Sequence, residues 1–117
     1  MPATVMDFLA PRPKTVLGDA PAAEAAVLLA RENVRDVLVV DRDGRLIGVI
    51  DEPPADGLTA AEAARPVDRT LAAETAAVAA LTLMEELDLL RLPVVSADGH
   101  LVGVIARKLL ARELRGT

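Results

Sequence analysis

The sequence predicts an α+β fold in which one β-α-β-β unit is written twice within 117 residues. Residues 43–50 read Asp-Gly-Arg-Leu-Ile-Gly-Val-Ile, and residues 98–105 read Asp-Gly-His-Leu-Val-Gly-Val-Ile, identical at six of eight positions. The offset of 55 holds without insertion from residues 4–52 to residues 59–107. It pairs Pro11 with Pro66, Thr15 with Thr70, Ala25 with Ala80, Leu28 with Leu83, and Val39-Val40 with Val94-Val95. In each copy an alanine-rich helical stripe precedes two short apolar runs. A unit of about 50 residues is too small to bury a sufficient core alone. Two such units are therefore expected to stack about a pseudo-twofold axis, their small sheets packed against helices, with related clefts at the seam.

The elements follow in order. Residues 4–9 predict a helical turn or two, ended by Pro11 and Pro13. Residues 14–17 read as a short strand. Asp19 is placed to cap a helix over 20–33 with Pro21 in its first turn. Ala22, Ala25, Ala26, Leu29 and Ala30 form the small-residue stripe of that helix. Val37–Val40 is a fully apolar run of strand length, Gly44 supplies the positive φ of a hairpin turn, and 45–50 return. Gly48 interrupts the return strand and marks a bulge or a close approach by another backbone or a ligand. The second copy gives a turn over 59–65, a strand over 69–71, a helix over 75–90, strands at 93–95 and 101–105, and a closing helix over 106–115. Leu109, Leu110 and Leu114 are the apolar stripe of that last helix. The first copy cannot add such a helix, because Pro53 and Pro54 follow its last strand. The whole chain is read as a single module of residues 1–52, a linker at 53–58, and residues 59–117.

Composition narrows the function. Hydrophobic content is 52 % but Phe8 is the only aromatic residue, so the core is aliphatic, which argues against recognition by aromatic stacking. The net charge is −5 with no basic run, which argues against nucleic acid as a partner. Cysteine is absent, so there is no disulfide and no thiolate metal site. No apolar run reaches the length of a membrane span, and the amino-terminal residues lack the layout of a secretion signal. A cytoplasmic protein is expected.

Candidate chemistry is sparse. Arg107 and Lys108 open the closing helix, where anions are favoured, with Arg91 at the preceding helix-to-strand turn and Arg69 before the first strand of that copy. Together they read either as a phosphate-type anion site or as a set of solvated surface cations. Asp51, Glu52 and Asp56 read as a solvated linker rather than a metal site or an acid-base pair. His100 is read as an exposed turn residue. No nucleophile-base constellation is recognisable, so neither a catalytic nor a metal site is expected. Glu85, Glu86 and Asp88 are assigned to the outer face of the second long helix, whose surplus of leucines suggests a partner.

The doubled pattern, with Leu92-Pro-Val-Val-Ser-Ala-Asp-Gly-His-Leu-Val-Gly-Val-Ile105 as its clearest stretch, resembles the cystathionine-β-synthase (CBS) domain pair, or Bateman module. The resemblance covers nearly the whole chain. It implies a non-catalytic regulatory module, commonly a homodimer, that binds adenosine-containing ligands in the clefts between its units. AMP, ADP, ATP or S-adenosylmethionine is the regulatory ligand so implied. Family contacts come from three places in each unit: residues before the first strand, the helix-to-strand turn, and a Thr/Ser-x-x-Asp signature after the third strand. Carried over, these are Arg69, Thr70, Arg91, Leu92, Pro93, Ala106, Arg107 and Lys108 in the second copy. In the first, weaker site they are Thr15, Asp36, Val37 and Asp51. Both signatures depart from the pattern: Asp51-Glu-Pro-Pro54 puts acids and prolines in the first window, and Ala106-Arg-Lys-Leu109 keeps only cations in the second. Acids beside a phosphate repel it, so the second-copy cleft is the expected site. The output is expected to run through another, unidentified effector protein. The alternative is a ligand-free dimerisation or scaffold module acting through protein partners.

Overall fold

The computed structural model describes residues 2–116. In order, a 3₁₀ turn Val5–Phe8 is followed by β1 (Thr15–Leu17), α1 (Ala23–Leu29), β2 (Val37–Val40) and β3 (Leu46–Ile50). The second copy gives α2 (Ala60–Ala63), β4 (Leu71–Ala72), α3 (Ala77–Glu86), β5 (Arg91–Val95), β6 (Leu101–Ala106) and α4 (Arg107–Arg115). The strands form two three-stranded sheets, β1-β2-β3 and β4-β5-β6, each with one parallel and one antiparallel pairing. Among the described residues, no helix is long and apolar enough to cross a membrane.

The two compact units do not follow the sequence repeat. A central unit comprises Pro13–Asp68, and a terminal unit comprises Met1–Arg12 with Arg69–Thr117. Each sheet is completed by the leading segment of the other copy. In the terminal unit, the Val5 amide donates to the Thr75 carbonyl, Ala77 to Ala3, and Ala10 to Val104, all at 2.8–2.9 Å. In the central unit the equivalent bonds, shifted by 55, run from Ala60 to Ala20, Ala22 to Leu58, and Arg65 to Val49, again at 2.8–2.9 Å. Both leading segments are fixed by the same device. Thr4 with Asp7, and Thr59 with Glu62, form capping boxes in which each side chain satisfies the other residue's backbone N–H. The two backbone and side-chain bonds from Thr59 hold the Glu62 carboxyl below its usual range.

Gly48 shows why this exchange is tight. A bulge lies beside it, since Val39 pairs with Gly48 but Val40 pairs with Leu46. A Cβ at Gly48 would stand 2.7 Å from the Ala64 Cβ and 2.9 Å from the Arg65 carbonyl oxygen. The glycine thus admits another backbone, one of the readings its place in the strand suggested.

The long helices are shorter than the sequence predicts, at both ends. Asp19 does not cap α1; its carboxylate instead receives the Arg42 guanidinium, with Nε at 2.8 Å. Helical bonding in α1 begins at the Ala22 carbonyl, which accepts from the Ala26 amide, while the free Ala22 amide donates to Leu58. Asn33 and Asp88 take positive φ after α1 and α3, which ends each helix before its apolar pattern does. Ala30, counted in the buried stripe of α1, is exposed. The central core joins Val16, Ala25, Val37, Val39, Ile50 and Ala60. The terminal core is larger, because α4 adds Leu110 to Val5, Met84, Val94 and Ile105, all fully buried.

Candidate functional site

Strand register brings the second-copy candidates to one end of the terminal sheet. Arg91 pairs with Ala106 and Leu92 with Ile105 across β5 and β6. Because β4 runs parallel to β5 with Leu71 opposite Val94, Arg69 and Thr70 precede β4 at that same end. The Arg107 amide donates to the Leu90 carbonyl at 2.9 Å, which turns the chain directly from β6 into α4. Arg69, Thr70 and Lys108 are exposed, and Arg91, Pro93, Ala106 and Arg107 are half-buried. Leu92 is 4 % exposed and belongs to the core, so only its backbone can meet a ligand.

The cations are not equivalent. Arg107 Nη1 is paired with Asp88 Oδ1 at 2.9 Å. Asp88, read from the sequence as part of an outer acidic face, therefore spends its charge on the helix start. No ion pair engages Arg69, Arg91 or Lys108 among the described residues. Three uncommitted cations at one sheet end, beside the amino terminus of a nine-residue helix, make a positive field suited to a phosphate.

The first-copy candidates gather by the same register at the corresponding end of the central sheet. Lys14 accepts the Leu38 amide through its carbonyl, Thr15 opens β1, Asp36 precedes β2, and Asp51 follows β3. Val37 is fully buried and, like Leu92, offers only backbone. Here the chemistry is reversed. Arg65 lays its guanidinium on Asp51, with Nε at 3.0 Å and Nη2 at 2.6 Å from Oδ2. Asp68 lies 3.7 Å from Arg65 Nη1, and Asp36 also acts on it electrostatically. Hydrogen bonding from Arg65 holds the Asp51 carboxyl below its usual range. The end that would face an anion is thus acidic, with its arginine already neutralised. Sequence reading missed Arg65. Its role arises from the exchange of leading segments, which sets a second-copy residue against the first-copy strand end.

This pair gives a pH signature. Since the folded-state pKa of Asp51 is lowered, its stabilisation is fully present above about pH 4 and is lost as pH falls through the lowered value. The pair is half exposed, so its worth is under about 1 kcal/mol. Acid titration followed by circular dichroism should show Asp51→Asn losing less stability than the parent chain in that range. An identical acid limb would mean that the pair contributes nothing.

In the terminal hairpin, Asp98 accepts from the Ser96 hydroxyl and lies 2.7 Å from His100 Nδ1. Those two partners, Ser96 first, hold the Asp98 carboxyl well below its usual range. The histidine sits in the turn as expected, but half-buried rather than exposed. Among the described residues no group of His, Cys, Asp and Glu could hold a metal ion.

The model of the CBS domain matches residues 5–52 and 62–116. The crystal structure of CBSX2, a CBS-pair protein from Arabidopsis thaliana, superposes with a TM-score of 0.80 at 26 % identity, over 99 % of this chain and 96 % of that one. CBSX2 in complex with AMP gives 0.78 at 26 % identity, over 97 % and 96 %. The cytosolic domain of the Mg²⁺ channel MgtE in complex with ATP gives 0.72 at 25 % identity, over 91 % of this chain and 46 % of that one. No curated protein sequence matches the chain.

Proposed function

The chain belongs to the CBS domain family, and on that premise we propose that it is a regulatory, non-enzymatic module that senses an adenosine-containing nucleotide or a related anionic small molecule through its second repeat. The observation that carries this reading is the contrast between the two sheet ends. Arg69, Arg91 and Lys108 are uncommitted at one, while Asp36, Asp51 and Asp68 surround Arg65 at the other. The complexes of CBSX2 with AMP and of MgtE with ATP support the ligand class. Ala106 leaves the usual hydroxyl position empty, so phosphate is held here by charge, with backbone groups near Leu92 and Pro93 left to read the base. A ligand shifts the module's shape only by its difference in affinity for the alternative shapes, and an effector protein reads that shift.

Titration calorimetry with AMP, ATP and S-adenosylmethionine tests this. Saturation near one ligand per chain is expected, with binding weakened at least about tenfold in Arg69→Ala/Lys108→Ala, whose exposed positions leave the fold intact. Absence of heat with all three ligands would remove the sensor reading.

A second reading, homodimerisation, is favoured by the outer faces of the helices. Val27 on α1 and Val78 on α3 are 64 % and 66 % exposed, large apolar side chains on outward helix faces. Light scattering at micromolar concentration distinguishes a dimer from a monomer, and Val27→Lys/Val78→Lys should shift a dimer to the monomeric mass.

A further inference from the structure

We propose that a cavity in the central unit is a second ligand site, selective for a compact monoalkylammonium compound. The cavity measures about 320 Å³ and lies between α1 and the segment after β3. Ala23 and Ala26 form one wall, Pro54 and Leu58 the other, and Asp19 and Asp56 supply carboxylates. None of the residues assigned above to the nucleotide lines it.

The cavity exists for reasons legible in the duplication. At the offset of 55, Ala23 corresponds to Val78 and Ala26 to Leu81, so the equivalent helix carries bulk where α1 carries methyl groups. Leu81 is 7 % exposed and packs in the terminal core. After β6 the terminal unit continues directly into α4, which packs against α3. Pro53 and Pro54 forbid that helix in the central unit. The chain instead passes α1 as a loop, tethered to it by the bond from the Ala22 amide to the Leu58 carbonyl at 2.8 Å. The hollow is therefore built into the backbone and needs no ligand to hold it open.

Its lining selects the ligand. The walls are aliphatic and no lysine or arginine is among the lining residues. Asp19 receives Arg42 through Oδ2 alone, leaving Oδ1 as an acceptor. Asp56 makes no hydrogen bond or ion pair among the described residues. Arg42 matches the charge of Asp19, so the uncompensated negative charge of the lining is that of Asp56. An ammonium group brings it one positive charge, with further donors for Asp19 Oδ1, and a short alkyl body covers the alanine, proline and leucine walls. An anion is repelled, and a neutral alcohol gains only the apolar contact.

The test uses the full chain with ¹³C-labelled alanine methyl groups, titrated with n-butylammonium chloride at constant ionic strength, beside n-butanol and sodium butyrate. Saturable shifts of the Ala23 and Ala26 methyl resonances are expected with the ammonium alone. Asp56→Asn should weaken binding by about tenfold. Ala26→Leu, which installs the side chain that the equivalent helix already tolerates, should abolish it with the fold retained. The proposal is overturned if no resonance saturates up to tens of millimolar, if butanol acts as strongly as butylammonium, or if Ala26→Leu binds like the parent.

Discussion

Gly48→Ala lowers the stability of the central unit by about 2–3 kcal/mol, while the equivalent change in the other copy, Gly103→Ala, costs far less. The two glycines occupy the same place in the repeat and the comparison isolates their surroundings. At Gly48 the new methyl meets the Ala64 Cβ at 2.7 Å and the Arg65 carbonyl at 2.9 Å. Neither atom can rotate away, and Arg65 exchanges two backbone hydrogen bonds with Val49 at that point. Relief requires the leading segment to leave the sheet edge. At Gly103 the three nearest atoms to the methyl all belong to the Leu9 side chain, at 3.0–3.3 Å. A leucine can change rotamer, and the loss of glycine's unfolded-state freedom offsets part of the cost. Urea denaturation of both variants reads the difference. Equal effects would show that the exchanged segment at Ala64-Arg65 is not a fixed part of the central unit.

Leu110→Ala costs about 2–5 kcal/mol and weakens the second-repeat ligand site at the same time. Leu110 is fully buried in the terminal core and is the one residue of α4 in that state. Ala111 and Leu114 of α4 only partly pack against the same core, and the ion pairs of Arg107 with Asp88 and of Arg115 with Glu85 have exposed or partly exposed partners and are each worth little. Lys108 stands in the first turn of the same helix. Loosening the helix therefore spreads the positions of the cation and of the helix amino terminus, and an entropic cost of ordering returns on binding. Leu110→Met, which nearly conserves volume, should spare both properties. Thermal melts with and without AMP separate the two effects. Loss of stability with unchanged AMP affinity would detach the ligand site from α4.

Much of the fold is legible in the sequence because duplication doubles every weak signal. One Asp-Gly-x-Leu-x-Gly-Val-Ile hairpin is ordinary; two at a fixed offset define the strands β2–β3 and β5–β6, and Gly44 and Gly99 take the positive φ that their turns require. The helix ends were not legible. Apolar periodicity continues past Leu29 and Glu86, whereas the backbone leaves the helix there and turns left-handed at Asn33 and Asp88. The apolar pattern alone does not mark where the backbone turns left-handed. The same holds at the site. Arg69, Arg91 and Lys108 could be named from charge and position alone. The pairing of Asp51 with Arg65 depends on the exchange of leading segments, and a sequence repeat does not say which copy a segment completes.

The central claim is that the second repeat binds the nucleotide and the first does not. The most direct measurement follows backbone amide resonances of the full chain during titration with AMP. The account predicts saturable shifts at Arg69, Thr70, Arg91, Ala106 and Lys108, with Thr15, Asp36 and Asp51 unmoved. Shifts confined to the first-repeat residues, or none at either end at saturating AMP, would contradict it.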